Sequence, residues 1–293
     1  MWFIYAILSA SIYSIRSLLE KWSLKSVDPY ILALAVRSFA LPLFVLPFVF
    51  GFSQLPDLSE LPFRFWGAVF LISFVSTPME MIFFYKALKT EEVSFVVPLL
   101  GLSPLVTMFF SFLLFREAPT IWGMVGTALI ILALYLLNTQ KQQESFLDPI
   151  RHLMNNKAFI YILLMLLSYS LGILIDKVGI MASDIYFYSL VNYLFVSIAL
   201  LLIALVKAPE KFVQLRTNFT PFLLIGLVVA GYTWLRFASL KLGNPGYVAA
   251  VLSSHVLFSI VAGAMIFREK DLKKKTSVGM LILVGLVLIK ALG

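Results

Sequence analysis

Residues 13–21 read YSIRSLLEK and residues 169–177 read YSLGILIDK, two stretches standing 156 positions apart. The match extends over 5–37 and 161–193 at that one offset. Tyr5 aligns with Tyr161, Leu8 with Leu164, Leu18 with Leu174, and Glu20-Lys21 with Asp176-Lys177. Asp28, Tyr30 and Leu34 align with Asp184, Tyr186 and Leu190. Further along, the offset becomes 152, pairing Leu88-Lys89 with Leu240-Lys241 and Phe115-Arg116-Glu117 with Phe267-Arg268-Glu269. Gly123-Met124 recurs as Gly279-Met280, at the offset of 156 again. The chain is an internal duplication, and the number of membrane spans in each half decides its symmetry.

Composition establishes that spans are what it is made of. Of 293 residues, 61% are hydrophobic and 13% charged, with a mean hydropathy of +0.98. A soluble domain carries about 25% charged residues. Crossing the hydrocarbon takes roughly 20 mostly apolar residues. Ten such stretches are read near 1–19, 30–52, 63–85, 93–115, 120–138, 158–176, 185–206, 219–239, 245–267 and 276–292. The first has neither a basic region before it nor a small-residue cleavage site after it, so it is expected to be retained as a span. There are no cysteines, which excludes disulfides, thiol catalysis and cysteine-held metals.

The expected fold is therefore an all-α integral membrane protein of ten helices in two halves, 1–138 and 158–293, joined by a polar linker at 139–157. Five spans per half start the second half from the opposite membrane face, giving inverted repeats. Such repeats are the architecture of alternating-access carriers, with the cargo site near the midplane. In the linker, Asp148-Pro149 followed by Ile150, Leu153 and Met154 fits either a short helix on the membrane surface or an irregular connection. Asp28 and Asp184 are expected to be N-caps of spans two and seven.

Several residues carry a resemblance. Arg37-Ser38-Phe39 lies inside span two, and Tyr85 with Ala87-Leu88 closes span three. Ser103-Pro104 lies within span four, and Glu117 and Glu269 end spans four and nine, each followed by a glycine-bearing span. With the two five-helix halves, these features resemble the ten-helix EamA-type members of the drug/metabolite transporter superfamily over essentially the whole chain. The resemblance implies that spans four and nine lie near a central cavity, with five and ten packed behind them. One departure stands out: Pro104 aligns with Val256, so span nine lacks the mid-helix proline and has His255 beside that position.

Polar groups inside the bilayer are the best indicators of a site, because a charge at a helix centre costs about 2.5–3.5 kcal/mol on insertion scales. His255, beside Ser253 and Ser254, can bind cargo or carry a proton, or else form a neutral cross-helix hydrogen bond. Glu80 follows Pro78 and lies about 9 Å past the centre of span three at 1.5 Å per residue. It fits a proton-coupling carboxylate, or a fixed partner of Arg37, Lys86 or Arg236. Arg37 and Arg236 can each clamp a carboxylate or phosphate bidentately, and Arg236 with Trp234 and Tyr232 resembles a site for a flat or anionic group. Arg37 is also read as structural, and Arg236 as snorkelling to the interface. Tyr13 and Tyr169, at equivalent places in spans one and six, and Asn192 in span seven offer cargo contacts or ordinary helix–helix hydrogen bonds. Ser103 completes the candidate set. Gly101, Gly226, Gly231 and Gly263 are expected to serve close packing, and Trp66 and Trp122 to anchor the interface.

The loops after odd-numbered spans hold most of the lysine and arginine, including Lys21, Lys25, Lys207, Lys211, Arg216 and Lys273 to Lys275. The opposite side has Arg64, Arg116, Lys177, Lys241 and Lys290. The positive-inside rule thus puts both termini outside the cytoplasm, whereas the resemblance puts them inside. The net charge of +8 is a topology signal and needs no nucleic-acid partner. Enzyme classes fail on inventory: two histidines, no activated nucleophile, no cofactor or phosphate-binding loop and no metal cluster. An ion channel lacks a ring of carbonyls or charges. The expected function is a secondary carrier in the cytoplasmic membrane, exporting an amino acid or similar zwitterion or weak acid. Its cargo is expected between the halves, touched by spans three, four, eight and nine, with protons as a coupling partner. Carriage of sugars, nucleotides or drug-like solutes, and a structural subunit without transport, are the alternatives. Monomer and homodimer both remain open.

Overall fold

The computed structural model describes residues 1–90, 102–138, 157–258 and 272–292. The candidate surface helix of the linker, Gly101, Gly263 and Phe267-Arg268-Glu269 lie outside the described residues, which are all-α. Six helical segments are long and apolar enough to cross a membrane: Trp2–Glu20, Pro29–Val49, Phe63–Phe83, Phe159–Met181, Ile185–Lys207 and Phe219–Leu242. Four shorter apolar helices, Ser103–Phe115, Ile121–Leu136, Pro245–Phe258 and Ser277–Ala291, fall where the remaining stretches were read. The chain forms two compact units, each built from both halves of the duplication.

The first unit comprises Met1–Pro78 and Ile175–Leu242. Helix α1 (Trp2–Ser23) lies along the helix Phe219–Leu242, and α2 (Pro29–Ser38) packs on the helix Ile185–Lys207. Both of the latter helix starts are set locally. Asp28 Oδ1 accepts the Tyr30 N–H at 2.8 Å, with Pro29 at the first helical position, and Asp184 Oδ1 accepts those of Tyr186 and Phe187 at 2.7 and 3.1 Å. These are the N-caps read from the sequence.

The second span is not continuous. Helix α2 stops at Ser38, and α3 (Leu41–Val49) resumes after a turn at Phe39-Ala40. Pro42 explains the break: its ring clashes with the carbonyl four residues back, which is that of Ser38. The helix Phe219–Leu242 accepts the interruption through Gly226, where an added Cβ would lie 2.5 Å from the Phe39 carbonyl oxygen. Phe39 packs edge-on against Phe219 and Phe222. A second irregularity follows α4 (Phe63–Phe70): residues Leu71–Ser76 widen into a π-helical turn before α5 (Thr77–Thr90). Pro78 again stands four residues after the affected carbonyl, that of Phe74, and the widened turn is the local adjustment.

The second unit comprises Met79–Leu174 and Gly243–Gly293. Its frame is two helix pairs: α6 (Ser103–Phe115) with the helix Pro245–Leu252, and α7 (Ile121–Asn138) with the helix Leu272–Leu292. The α7 pair is held by Gly126 and Gly285, where a Cβ on either would meet the other's carbonyl oxygen at 2.7 or 2.6 Å. Small residues of this kind let backbones meet where the hydrophobic effect offers no drive for association. Helix α8 (Lys157–Met181) contributes to both units; α9 (Ile185–Lys207), the short α10 (Val213–Thr217) and α11 (Phe219–Leu242) belong to the first. In the second, α12 (Pro245–Leu252) is capped by Asn244, whose Oδ1 accepts the Gly246 N–H at 2.9 Å. Helix α13 (Leu272–Leu292) closes the chain. Trp66 and Trp122 are exposed near helix starts, as interface anchors are.

Candidate functional site

The first unit encloses charged side chains within its apolar helices. Asp176 on α8, with 4% of its side chain exposed, is the best ligated of them. Its Oδ1 accepts the Tyr188 hydroxyl at 2.8 Å and the Asn192 amide at 3.1 Å, both from α9. Its Oδ2 accepts Nη2 of Arg236 from α11 in an ion pair. A second pair lies on α1, where Arg16 Nε donates to Glu20 Oε1 at 2.6 Å. The Arg16 guanidinium stands 5.3 Å over the Tyr13 ring and 5.6 Å over that of Tyr232, and those rings are 5.1 Å apart. Both pairs follow the rule that a charge within the bilayer needs a partner.

Arg37 is different. Its guanidinium lies 4.9 Å over the Tyr193 ring, and among the described residues it forms neither an ion pair nor a hydrogen bond. Asp176 acts on it electrostatically while committed to Arg236. Tyr193 is held by a 2.6 Å hydrogen bond between its hydroxyl and Thr233 Oγ1. Phe44 of α3 packs at 4.6 Å on Tyr193 and 5.5 Å edge-on against Trp234. The Trp234 indole N–H is buried without a partner among the described residues.

The second unit holds the other candidates. Glu80 is half-buried in the first turn of α5, just past the π-helical turn. His255 restarts the helix after a turn at 253–254 that ends α12, its Nδ1 donating to the Leu252 carbonyl at 3.0 Å. Ser254 Oγ beside it is buried without a partner among the described residues. The Ser103 carbonyl accepts Thr107 Oγ1 at 2.8 Å and Ser170 Oγ at 3.2 Å, next to Tyr169. No cluster of three or more His, Asp or Glu able to hold a metal occurs among the described residues.

The sequence profile of the EamA-like transporter family matches residues 1–139 and again 156–291. The chain belongs to the EamA-like transporter family. It is accordingly a multi-pass membrane transporter of the drug/metabolite type with that family's two-repeat architecture. A solved crystal structure aligns with a TM-score of 0.79 at 13% identity, over 100% of this chain and 99% of that one; the likeness is one of fold. No curated protein matches.

In this EamA-like chain the ten residues singled out from sequence fall into two groups. Tyr13, Arg37, Asn192, Tyr232, Trp234 and Arg236 belong to the first unit, and Glu80, Ser103, Tyr169 and His255 to the second. Arg236, expected either to clamp an anion or to snorkel, is paired with Asp176. Sequence reasoning missed Arg16, Glu20, Asp176, Tyr188 and Tyr193 as members of a site. The signal for two of them was in plain view: Glu20-Lys21 and Asp176-Lys177 align, placing a carboxylate at the same point of both repeats.

Proposed function

We propose that this transporter is a secondary carrier with ten spans in two five-helix inverted repeats, 1–138 and 158–293, moving an amino acid or similar zwitterion or weak acid across the cytoplasmic membrane. Export by alternating access is the direction assigned, with the halves rocking about the bound cargo. The observation that carries this reading is the polar centre of the first unit, where arginines, carboxylates and tyrosine rings occupy helices apolar enough to cross a membrane. A zwitterion has one charge for each of those kinds of partner. Glu80 and His255 are the proposed coupling groups, since each sits at a helix irregularity of the sort that opens onto cavities. Ser103, Tyr13, Tyr169, Asn192, Tyr232, Trp234, Arg37 and Arg236 are the proposed cargo-contacting or supporting residues.

The test is uptake and counterflow of labelled amino acids in proteoliposomes, with and without a pH gradient, for the wild type and for Glu80→Gln and His255→Ala. Saturable flux driven by the gradient, and loss of the gradient's effect in either variant, is the expected result. Flux indifferent to the gradient in the wild type removes proton coupling. No flux of any amino acid by folded protein removes the cargo class.

A further inference from the structure

We propose that Arg37, laid on the Tyr193 ring at the interruption of the second span, is the anchor for a carboxylate on the cargo. The proposal rests on the carrier reading above and names the group by which the cargo is held.

Three observations lead to it. The first is the state of the cation. Arg16 and Arg236 are each matched by a carboxylate, Glu20 and Asp176, whereas Arg37, among the described residues, forms no ion pair and lies over the π face of Tyr193 at 4.9 Å, with Asp176 acting on it only electrostatically. A guanidinium over an aromatic face is oriented but keeps the five N–H donors of its own plane available. Those donors form a planar fork matched to two carboxylate oxygens. Within the bilayer such a cation is stable only with a partner or beside a cavity, and an anionic cargo supplies the partner during the cycle.

The second observation is the backbone. Arg37 is in the last turn of α2, and four residues later α3 begins behind Ala40, an N-cap that supplies no side-chain acceptor. A broken span that presents the start of a half-helix is the device by which membrane carriers receive anionic groups. The break here has a stated cause in Pro42, and Gly226 lets α11 approach the Phe39 backbone closely beside it.

The third is symmetry. Arg37 and Tyr193 are 156 positions apart, the offset that aligns 5–37 with 161–193. They are equivalent positions of the two repeats, and they touch each other. A position in contact with its own equivalent lies at the axis relating the two repeats, and repeat carriers hold their cargo there. The duplication has placed a cation on one side of that axis and its aromatic platform on the other.

The experiment compares acids with their primary amides in proteoliposomes: labelled leucine against leucinamide, phenylalanine against phenylalaninamide, and 2-oxoisocaproate against its amide, with glucose 6-phosphate and glucose included. The wild type is expected to favour at least one acid over its amide by about 10- to 100-fold in kcat/KM, the range of a charged hydrogen-bonded contact. Arg37→Gln is expected to bring that ratio close to one. Arg37→Lys, which keeps the charge and loses the fork, is expected to retain part of it with KM raised about tenfold. A ratio is insensitive to how much protein folds. Should Arg37→Gln yield none, Arg37→Lys decides alone, and a wild-type ratio and KM in it overturn the proposal. Equal transport of acid and amide by the wild type, an unchanged ratio in Arg37→Gln, or Arg37-dependent flux of the phosphate ester alone, also overturns it while leaving the carrier reading intact. Absence of flux for every solute from folded wild type overturns that reading and this assignment together.

Discussion

Removing the charge of Asp176 tests the polar centre of the first unit most directly. In Asp176→Asn the amide keeps an oxygen that can accept from Tyr188 and Asn192, whose distances to Oδ1 are 2.8 and 3.1 Å. What it loses is the ion pair with Arg236, whose side chain is 16% exposed against 4% for Asp176. Breaking a buried pair by removing one partner costs about 3–5 kcal/mol, since the survivor is left uncompensated. The two retained hydrogen bonds, and the residual exposure of Arg236, put this variant at the lower end, about 3 kcal/mol. For a chain of this size that corresponds to a fall in Tm of about 6–12 °C. The assay is thermal unfolding of detergent-purified protein followed by tryptophan fluorescence, repeated for Arg236→Gln and for the double variant. Because the partners act on each other, the double variant should be less destabilised than the sum of the singles, with a coupling of about 2 kcal/mol. A shift below 2 °C for Asp176→Asn, or strictly additive singles, refutes the view that this pair holds α8, α9 and α11 together.

The contact of Gly126 with Gly285 predicts that Gly285→Leu separates α7 from α13, because even a Cβ there falls 2.6 Å from a carbonyl oxygen. The Tm should drop sharply, while Met280→Leu on the exposed side of α13 leaves it unchanged. Since the chain has no cysteine, single cysteines report topology without background. The charge bias predicts that Ser26→Cys resists a membrane-impermeant maleimide in intact cells and Ser59→Cys reacts; the opposite pattern means that the termini face the cytoplasm.

Short-range features were legible in the sequence. Asp28-Pro29 and Asp184 announce helix starts because a side chain reaches only its own next turn, and the apolar runs mark spans because length and composition decide insertion. The carrier family followed from the two halves together with short motifs such as Arg37-Ser38-Phe39 and Ser103-Pro104. Pairing was not legible, because it depends on how helices rotate about their axes. Asp176 and Arg236 lie on separate helices, and nothing in either segment says that their faces meet. The same holds for Tyr13 and Tyr232, which lie on separate helices and meet at Arg16. Pro42 shows the opposite failing: its effect on the Ser38 carbonyl is predictable from the sequence, yet a span counted by hydropathy looks continuous across it.

The aligned carboxylates show how a duplicated chain diverges under the constraint that a membrane charge must be matched. Glu20 finds its arginine one turn away on its own helix. The equivalent of Arg16 in the second repeat is Gly172, so Asp176 cannot be matched in that way and takes Arg236 from α11 instead. At the offset of 152, the equivalent of Arg236 in the first repeat is Phe84. Each repeat has thus kept an acid and found its base differently, and the two solutions differ mechanically. The Arg16–Glu20 pair travels with α1 and is untouched by any movement of that helix. The Asp176 cluster bridges three helices. A motion that parts α8 from α11 has to strip a buried carboxylate of its partner, at the several kcal/mol worked out above. On the proposed alternating-access cycle, the least costly rocking keeps those three helices moving as one body.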